Sequence, residues 1–212
     1  MKESTGETKQ RILDAAERLF AADGVTGTSL RSVIREADVN LAAVHYHFGS
    51  KDALVNAVIA RHFQPLNRER LRRLDEAEQK AGKKRPPVER VIEAFVVPTM
   101  ELCADPVRGQ IFMKLIGRLL AEPQYFFGKV VPEQMADVRD RFVAALERAV
   151  PGLSAESVAW RMTFTIGAMA YSMRIGDSIS ALSGGRLKEA NTAEMTKELV
   201  RFTAAGWKAN AR

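Results

Sequence analysis

His45, Tyr46, His47 and Lys51 are the residues of this chain whose types and spacing invite chemistry. A metal site fails on geometry: residues two apart on a helix project about 160° away from each other, so His45 and His47 cannot chelate one ion. His62 stands alone, and Cys103 is the only cysteine, which excludes an intrachain disulfide and a cysteine-built zinc site. Neither a glycine-rich phosphate loop nor a nucleophile elbow occurs, so no catalytic residue, metal ligand or cofactor is assigned. The remaining chemistry is recognition of a polyanion. A Tyr46 hydroxyl can bond a phosphate oxygen, and Ala42 and Ala43 let a helix approach a flat surface closely. No Asp, Glu, Lys or Arg lies between Val39 and Ser50, which is unusual for a solvated helix face. Ser50 reads as an N-cap, which places Lys51 in a first helical turn, where the macrodipole disfavours a cation unless an anion sits there too.

The elements that must position these side chains can be followed upstream. Ile12, Ala15, Ala16, Leu19 and Phe20 recur at helical spacing, and Gly24 ends that helix. Thr28 is expected to cap the next helix, whose Leu30, Val33, Ile34 and Ala37 share the same small core. Asp38 to Asn40 forms the turn. In the helix that follows, Leu41 and Phe48 fall on the side of Val44, whereas Ala42, Ala43 and Tyr46 point away. Two short helices joined by a tight turn make a helix-turn-helix, whose second helix fits a DNA major groove.

Residues 9 to 56 resemble the DNA-binding domain of the TetR/AcrR family of bacterial transcriptional regulators. RILDAAERLFAADG, TSLRSVIREADV and VHYHFGSKDAL match the family pattern in order and spacing. The resemblance implies an all-α chain, with a helix-turn-helix domain over residues 1–56 and a larger helical ligand-sensing and dimerisation domain over 57–212. It places DNA contacts on Thr28, Ser29, Arg31, Asn40, Leu41, Ala42, Ala43, His45, Tyr46, His47 and Lys51. Two positions depart from the pattern. Asp38 stands where the family usually has a turn glycine, so a positive φ there carries some strain. Leu41 replaces the polar or basic residue of many relatives, which shifts readout towards apolar contact and DNA shape.

Composition sets the remaining bounds. The 212 residues carry a net charge of +6, yet residues 1–62 hold eight basic and eight acidic side chains. Residues 63–90 hold nine basic against five acidic, so overall basicity does not locate the DNA surface. No long apolar run or signal-peptide core is present, and a cytoplasmic protein without membrane contact is expected.

Further along, a helix is expected from Lys51 to about Ala81, kinked at Pro65, with the RERLRR run as a solvated face and GKKRPP as a linker. Helices follow from Val88, interrupted at Pro98; from Pro106, capped by Asp105; and from Gln134 to Val150. About nine helices result. Ser154 caps a long helix whose stretch from Met162 to Met173 holds no charge, and Asn191 or Thr192 begins the last. Small and large residues mixed in this way point to a four-helix dimer interface, expected at Met162, Gly167, Ala170, Met173, Met195, Leu199 and Phe202.

The regulator that the resemblance implies is a homodimer on a palindromic double-stranded DNA operator, released by a small lipophilic ligand. Apolar candidates to line its cavity are Phe95, Met100, Cys103, Phe112, Met113, Ile116, Phe126, Phe127, Phe142, Trp160, Phe164 and Met169. NLAAVHYHFGSKDAL is also similar to the fatty-acid-responsive, PsrA-like branch. A fatty acid or acyl-CoA would then pair its head group with Arg118 or Arg174. The rival reading keeps DNA binding and gives the second domain to a protein partner instead.

Overall fold

The computed structural model describes residues 5–175, 178–187 and 191–209. They form α1 (Thr5–Gly27), α2 (Leu30–Ala37), α3 (Leu41–Phe48), α4 (Lys51–Ala81), α5 (Val88–Ala104) and α6 (Arg108–Leu120). There follow the single turn α7 (Pro123–Tyr125), a π-helical turn (Phe126–Val130), α8 (Val131–Ala149), α9 (Ala155–Ile175), the single turn α10 (Ile179–Leu182) and α11 (Thr192–Lys208). The fold is all-α, with no strand among the described residues. None of its described helices is long and apolar enough to cross a membrane.

The chain divides into two compact units: Met1–Pro65 with Val107–Ala136, and Leu66–Pro106 with Asp137–Arg212. In the first, Ile12, Ala15, Ala16 and Phe20 of α1 are buried with Val33 of α2, Val44 of α3, Leu54 and Val58 of α4, and Phe112, Leu115 and Leu119 of α6. Each large aliphatic or aromatic side chain among them contributes roughly 1.5–3 kcal/mol of burial free energy, enough to hold helices as short as α2 and α3. Gly24 interrupts α1 with φ 77° and ψ 171°. At that corner the Glu122 carboxylate accepts from the Val25 amide at 2.9 Å and the Thr26 amide at 3.1 Å, and Arg118 donates to the Ala22 carbonyl at 2.5 Å. His62 is not isolated: its Nε2 meets the Glu17 carboxylate of α1, beside the Arg61–Asp14 pair at 2.7 Å.

The second unit is built around α5, whose Val91, Ile92, Phe95, Val96 and Met100 are buried. Phe142 of α8 meets Phe95 edge-on with centroids 5.2 Å apart. Trp207 of α11 is 1 % exposed, and its indole N–H donates to Thr165 Oγ1 of α9 at 2.9 Å. Arg70 lies fully inside, its guanidinium 4.3 Å above the Phe95 ring and donating to the Phe95 carbonyl at 3.1 Å and Thr99 Oγ1 at 2.7 Å. Burial lowers its pKa to about 9. Elsewhere in the RERLRR run, Arg72 pairs with Glu69 and Glu76 and Arg73 with Glu69 and Glu101, while buried Arg70 departs from the solvated face expected of the run.

Further local expectations change. Pro98, expected to interrupt its helix, lies within the continuous α5 with Val96, Thr99 and Met100 buried around it, and Pro65 lies within the continuous α4 between buried Phe63 and Leu66. Tertiary burial on that scale offsets the roughly 3 kcal/mol that an internal proline costs. Asp105 ends α5 instead of capping α6; its amide donates to the Leu102 carbonyl, and α6 begins at Arg108 without a side-chain cap. Ser29, not Thr28, caps α2.

Candidate nucleic-acid interface

The Ser29 cap is reciprocal. Its hydroxyl accepts from the Ser32 amide at 3.1 Å and Ser32 Oγ accepts from the Ser29 amide at 3.1 Å. Thr28 turns inward, 3 % exposed, and its hydroxyl donates to the Gly24 carbonyl at 2.7 Å. Arg31, one residue into α2, is exposed. The turn to α3 passes through Asp38 with φ 49°, the left-handed conformation expected at this position. Asn40 then caps α3, its Oδ1 accepting from the Ala43 amide at 2.8 Å.

On α3, Val44 is 1 % exposed and faces the core, while Ala42 and His45 are exposed and Tyr46 is 79 % exposed. Ala43, His47 and Phe48 are half-buried. Leu41, expected on the core side, is 53 % exposed because it is the first residue of the helix and projects past the packed turn. The result is an uncharged open face of small and aromatic groups, free to lie against base edges. His45 Nδ1 lies 3.0 Å from the Gly49 carbonyl, and the rings of Tyr46 and His47 meet edge-on at 5.1 Å.

Ser50 caps α4 as expected, accepting from the Ala53 amide at 3.1 Å, and Lys51 stands half-buried in the first turn. Its neighbour Asp52 is claimed from a distant part of the chain: Lys129 Nζ lies 2.6 Å from Asp52 Oδ2, and the Tyr125 hydroxyl is 3.4 Å from Oδ1. The Lys129 bond holds the Asp52 carboxyl below its usual range, and Lys51 adds to the effect. With the Asp52 charge offset by Lys129, less of the positive field at the α4 start is cancelled, which suits an incoming phosphate. Sequence reading could not find this contact, because 77 residues separate its partners.

Comparison with known proteins decides what carries this face. Residues 12–58 match the model described as "Bacterial regulatory proteins, tetR family", and residues 93–206 match "Tetracyclin repressor-like, C-terminal domain". The chain belongs to the TetR family. It is 31% identical over 144 residues to the HTH-type transcriptional regulator SrpR of Pseudomonas putida, an alignment covering 68% of this chain and 60% of that one. It is 42% identical over 78 residues to the HTH-type nicotine-responsive transcriptional repressor HdnoR of Paenarthrobacter nicotinovorans, covering 37% of this chain and 40% of that one. The matches thus span less than two thirds of either relative. A putative transcriptional regulator from Pseudomonas aeruginosa has the same fold, with a TM-score of 0.63, 18% identity, and coverage of 100% of this chain and 97% of that one. SrpR and HdnoR, both relatives of the TetR-family chain, are named as transcriptional regulators.

The other expected site residues of this TetR-family chain fall in both units. Phe112 is buried and Met113 and Ile116 half-buried on α6 of the first; Phe95, Met100, Phe142 and Met169 are buried in the core of the second. Cys103 is half-buried, and burial pushes its thiol up to about 12. The side chains of Phe126 and Phe127 lie outside the described residues. Trp160 and Phe164 are 55% and 64% exposed and stack with centroids 5.8 Å apart on the open side of α9. Gly167 and Phe202 are exposed, Met162, Ala170, Met173 and Met195 half-buried, and Leu199 buried. Arg118 is engaged by Ala22, as described above, and Arg174 is exposed. Among the described residues no group of His, Cys, Asp and Glu could hold a metal ion.

Proposed function

We propose that this TetR-family regulator is a homodimeric, ligand-responsive repressor that binds a palindromic operator through α3 and is released by a small lipophilic effector. The observation that carries the reading is the uncharged, exposed α3 face of Leu41, Ala42, His45 and Tyr46 beside the Lys51 cation. Ala42 and Ala43 approach the base edges, Tyr46 and Lys51 bond phosphates, and Ser29 and Arg31 add contacts from α2.

Dimerisation is supported by an apolar stripe that the protomer leaves open. Trp160, Phe164, Gly167 and Tyr171 lie on one side of α9 at helical spacing, and Phe202 projects from α11 at 74% exposure. A pair of such faces would set two α3 helices to meet successive major grooves about 34 Å apart. A response to a small molecule is supported by the apolar residues of the second unit and by the nicotine-responsive relative. A fatty acid or acyl-CoA fits the lipophilic class proposed.

The test is selection of bound sequences from random duplexes, followed by sedimentation of the complex. An inverted repeat bound by two protomers, and released by a member of a lipophilic compound panel, supports the reading. A monomer on a single half-site, with a different protein held on the Trp160 face, overturns it in favour of a DNA-bound adaptor.

A further inference from the structure

The second unit contains a groove of about 720 Å³ between the end of α4, the turn after it, the start of α5 and the middle of α11. Its floor is aliphatic, with Ala77, Ala94, Val97 and Val200, and no aromatic ring lines it. Its rim is charged in one sense only once internal pairs are removed. Glu76 is bound to Arg72, Glu89 to Lys208, and Glu93 to Arg90 at 2.7 Å, so the acidic side chains of the groove are each matched by a cation. Arg73 and Arg201 are likewise held by Glu101 and Glu198, each at 2.7 Å. Lys80, Lys84, Arg85 and Lys197 are left over: all four are exposed, and among the described residues none has a carboxylate within the 4.0 Å of an ion pair. Three of them lie within the six residues from Lys80 to Arg85, where like charges repel.

An anion placed among these groups turns repulsion into attraction, and an aliphatic floor next to it asks for a hydrocarbon rather than a stacked base. We propose that the groove binds a single aliphatic chain ending in a phosphate or diphosphate. The head group sits between Lys80, Lys84, Arg85 and Lys197, and the chain lies along Ala77, Ala94, Val97 and Val200. The volume lies within the roughly 300–1,000 Å³ of small-molecule sites, and mobile ammonium groups suit a phosphate that presents no fixed fork. None of the groove residues belongs to the DNA-reading helices, so this site and the operator reading stand or fall separately.

The experiment is calorimetric titration of the full chain with decyl phosphate below its micellar concentration, against inorganic pyrophosphate, decyltrimethylammonium and phosphatidylglycerol vesicles. Saturable one-to-one binding of decyl phosphate is expected. It should weaken about tenfold or more in the variant combining Lys80→Gln, Lys84→Gln, Arg85→Gln and Lys197→Gln, and again in Val200→Asp. The four charged positions are exposed, so circular dichroism and melting temperature should match the parent. Equal affinity of parent and fourfold variant overturns the site. Equal binding of decyltrimethylammonium overturns the charge, and pyrophosphate binding as tightly as decyl phosphate overturns the hydrocarbon part. Retention on vesicles without binding of the monomeric amphiphile also overturns it, by assigning the phosphate to a membrane surface.

Discussion

Arg11 of α1 donates to the carbonyl of Asp38 at 2.5 Å, and Asp38 has the only positive φ of any described non-glycine residue. The same guanidinium donates twice to the Ala37 carbonyl, at 2.6 and 3.1 Å, so one side chain ties down the last carbonyls of α2 just where the turn to α3 begins. Replacing Arg11 with Met should cost the first unit about 1–3 kcal/mol, because acceptors lose a charged donor. Asp38→Gly should be neutral or stabilising by up to about 1 kcal/mol through relief of left-handed strain. Urea unfolding followed by circular dichroism reads both, and a destabilised Asp38→Gly protein would contradict the strain argument.

Phosphate contacts and base contacts should separate by mutation. Tyr46→Ala and Lys51→Ala are expected to weaken binding to operator and unrelated duplex alike, each by about tenfold, and to flatten the salt dependence. Ala42→Ser or Ala43→Ser should change which sequence is preferred while leaving the salt slope intact. Mobility shifts at two salt concentrations against a panel of duplexes make the comparison. An intact footprint in the Tyr46→Ala, Lys51→Ala double variant would remove the assignment.

The corner at Gly24 should be intolerant of substitution. A Cβ there would lie 2.6 Å from Glu122 Oε1, at φ +77°. Gly24→Ala should therefore cost about 1–3 kcal/mol, and Glu122→Ala a similar amount by stranding the Val25 and Thr26 amides. Because both changes act on one contact, the double variant should cost less than the sum of the singles. Additive losses measured by denaturant unfolding would show that the two residues act independently.

Acid should weaken the second unit through Glu69. Hydrogen bonds from Arg72 and then Arg73 hold its pKa at about 2, below the ordinary 4.5. A depressed folded-state pKa contributes stability that is fully present above pH 4.5 and disappears as the pH falls towards about 2. Glu69→Gln should thus be less stable than the parent at neutral pH and indistinguishable from it at the acid end. A constant difference across that window would disprove the linkage.

Subunit association should depend on the open stripe. Phe164→Asp and Phe202→Asp place a charge on surfaces that are already exposed in the protomer, at 64% and 74%, so melting of the isolated chain should change little. Sedimentation should shift to the monomer, and operator affinity should fall by far more than that of a single half-site. Unchanged sedimentation of both variants would place any interface elsewhere.

How far the chain could be read in advance depended on the range of each contact. Ile12, Ala16, Phe20, Val33 and Val44 announce their burial through local periodicity, and Ser50, Ser154 and Asn191 announce their caps through chemistry within a turn. Gly24 and Asp38 likewise declare their backbone conformations by residue type and position. Pro98 misleads, because its local cost is outweighed by packing that lies far away in sequence. Glu122 on Thr26 and Lys129 on Asp52 were invisible for the same reason. At the candidate interface, the inward Val44 and the outward Ala42 and Tyr46 were legible from spacing, whereas Leu41, expected inward, is exposed. Thr28 and Ser29 both have the hydroxyl of a cap, and only the fold of the Gly24 corner decides between them.

Under the proposed operator binding, the Lys129 bond to Asp52 puts strength of grip and choice of sequence on separate stretches of polypeptide. Lys129 offsets the negative charge of the acid next to Lys51, and so bears on the potential that the start of α4 presents. On that proposal, occupancy can be tuned through position 129 while α3, and with it the address it would recognise, stays the same.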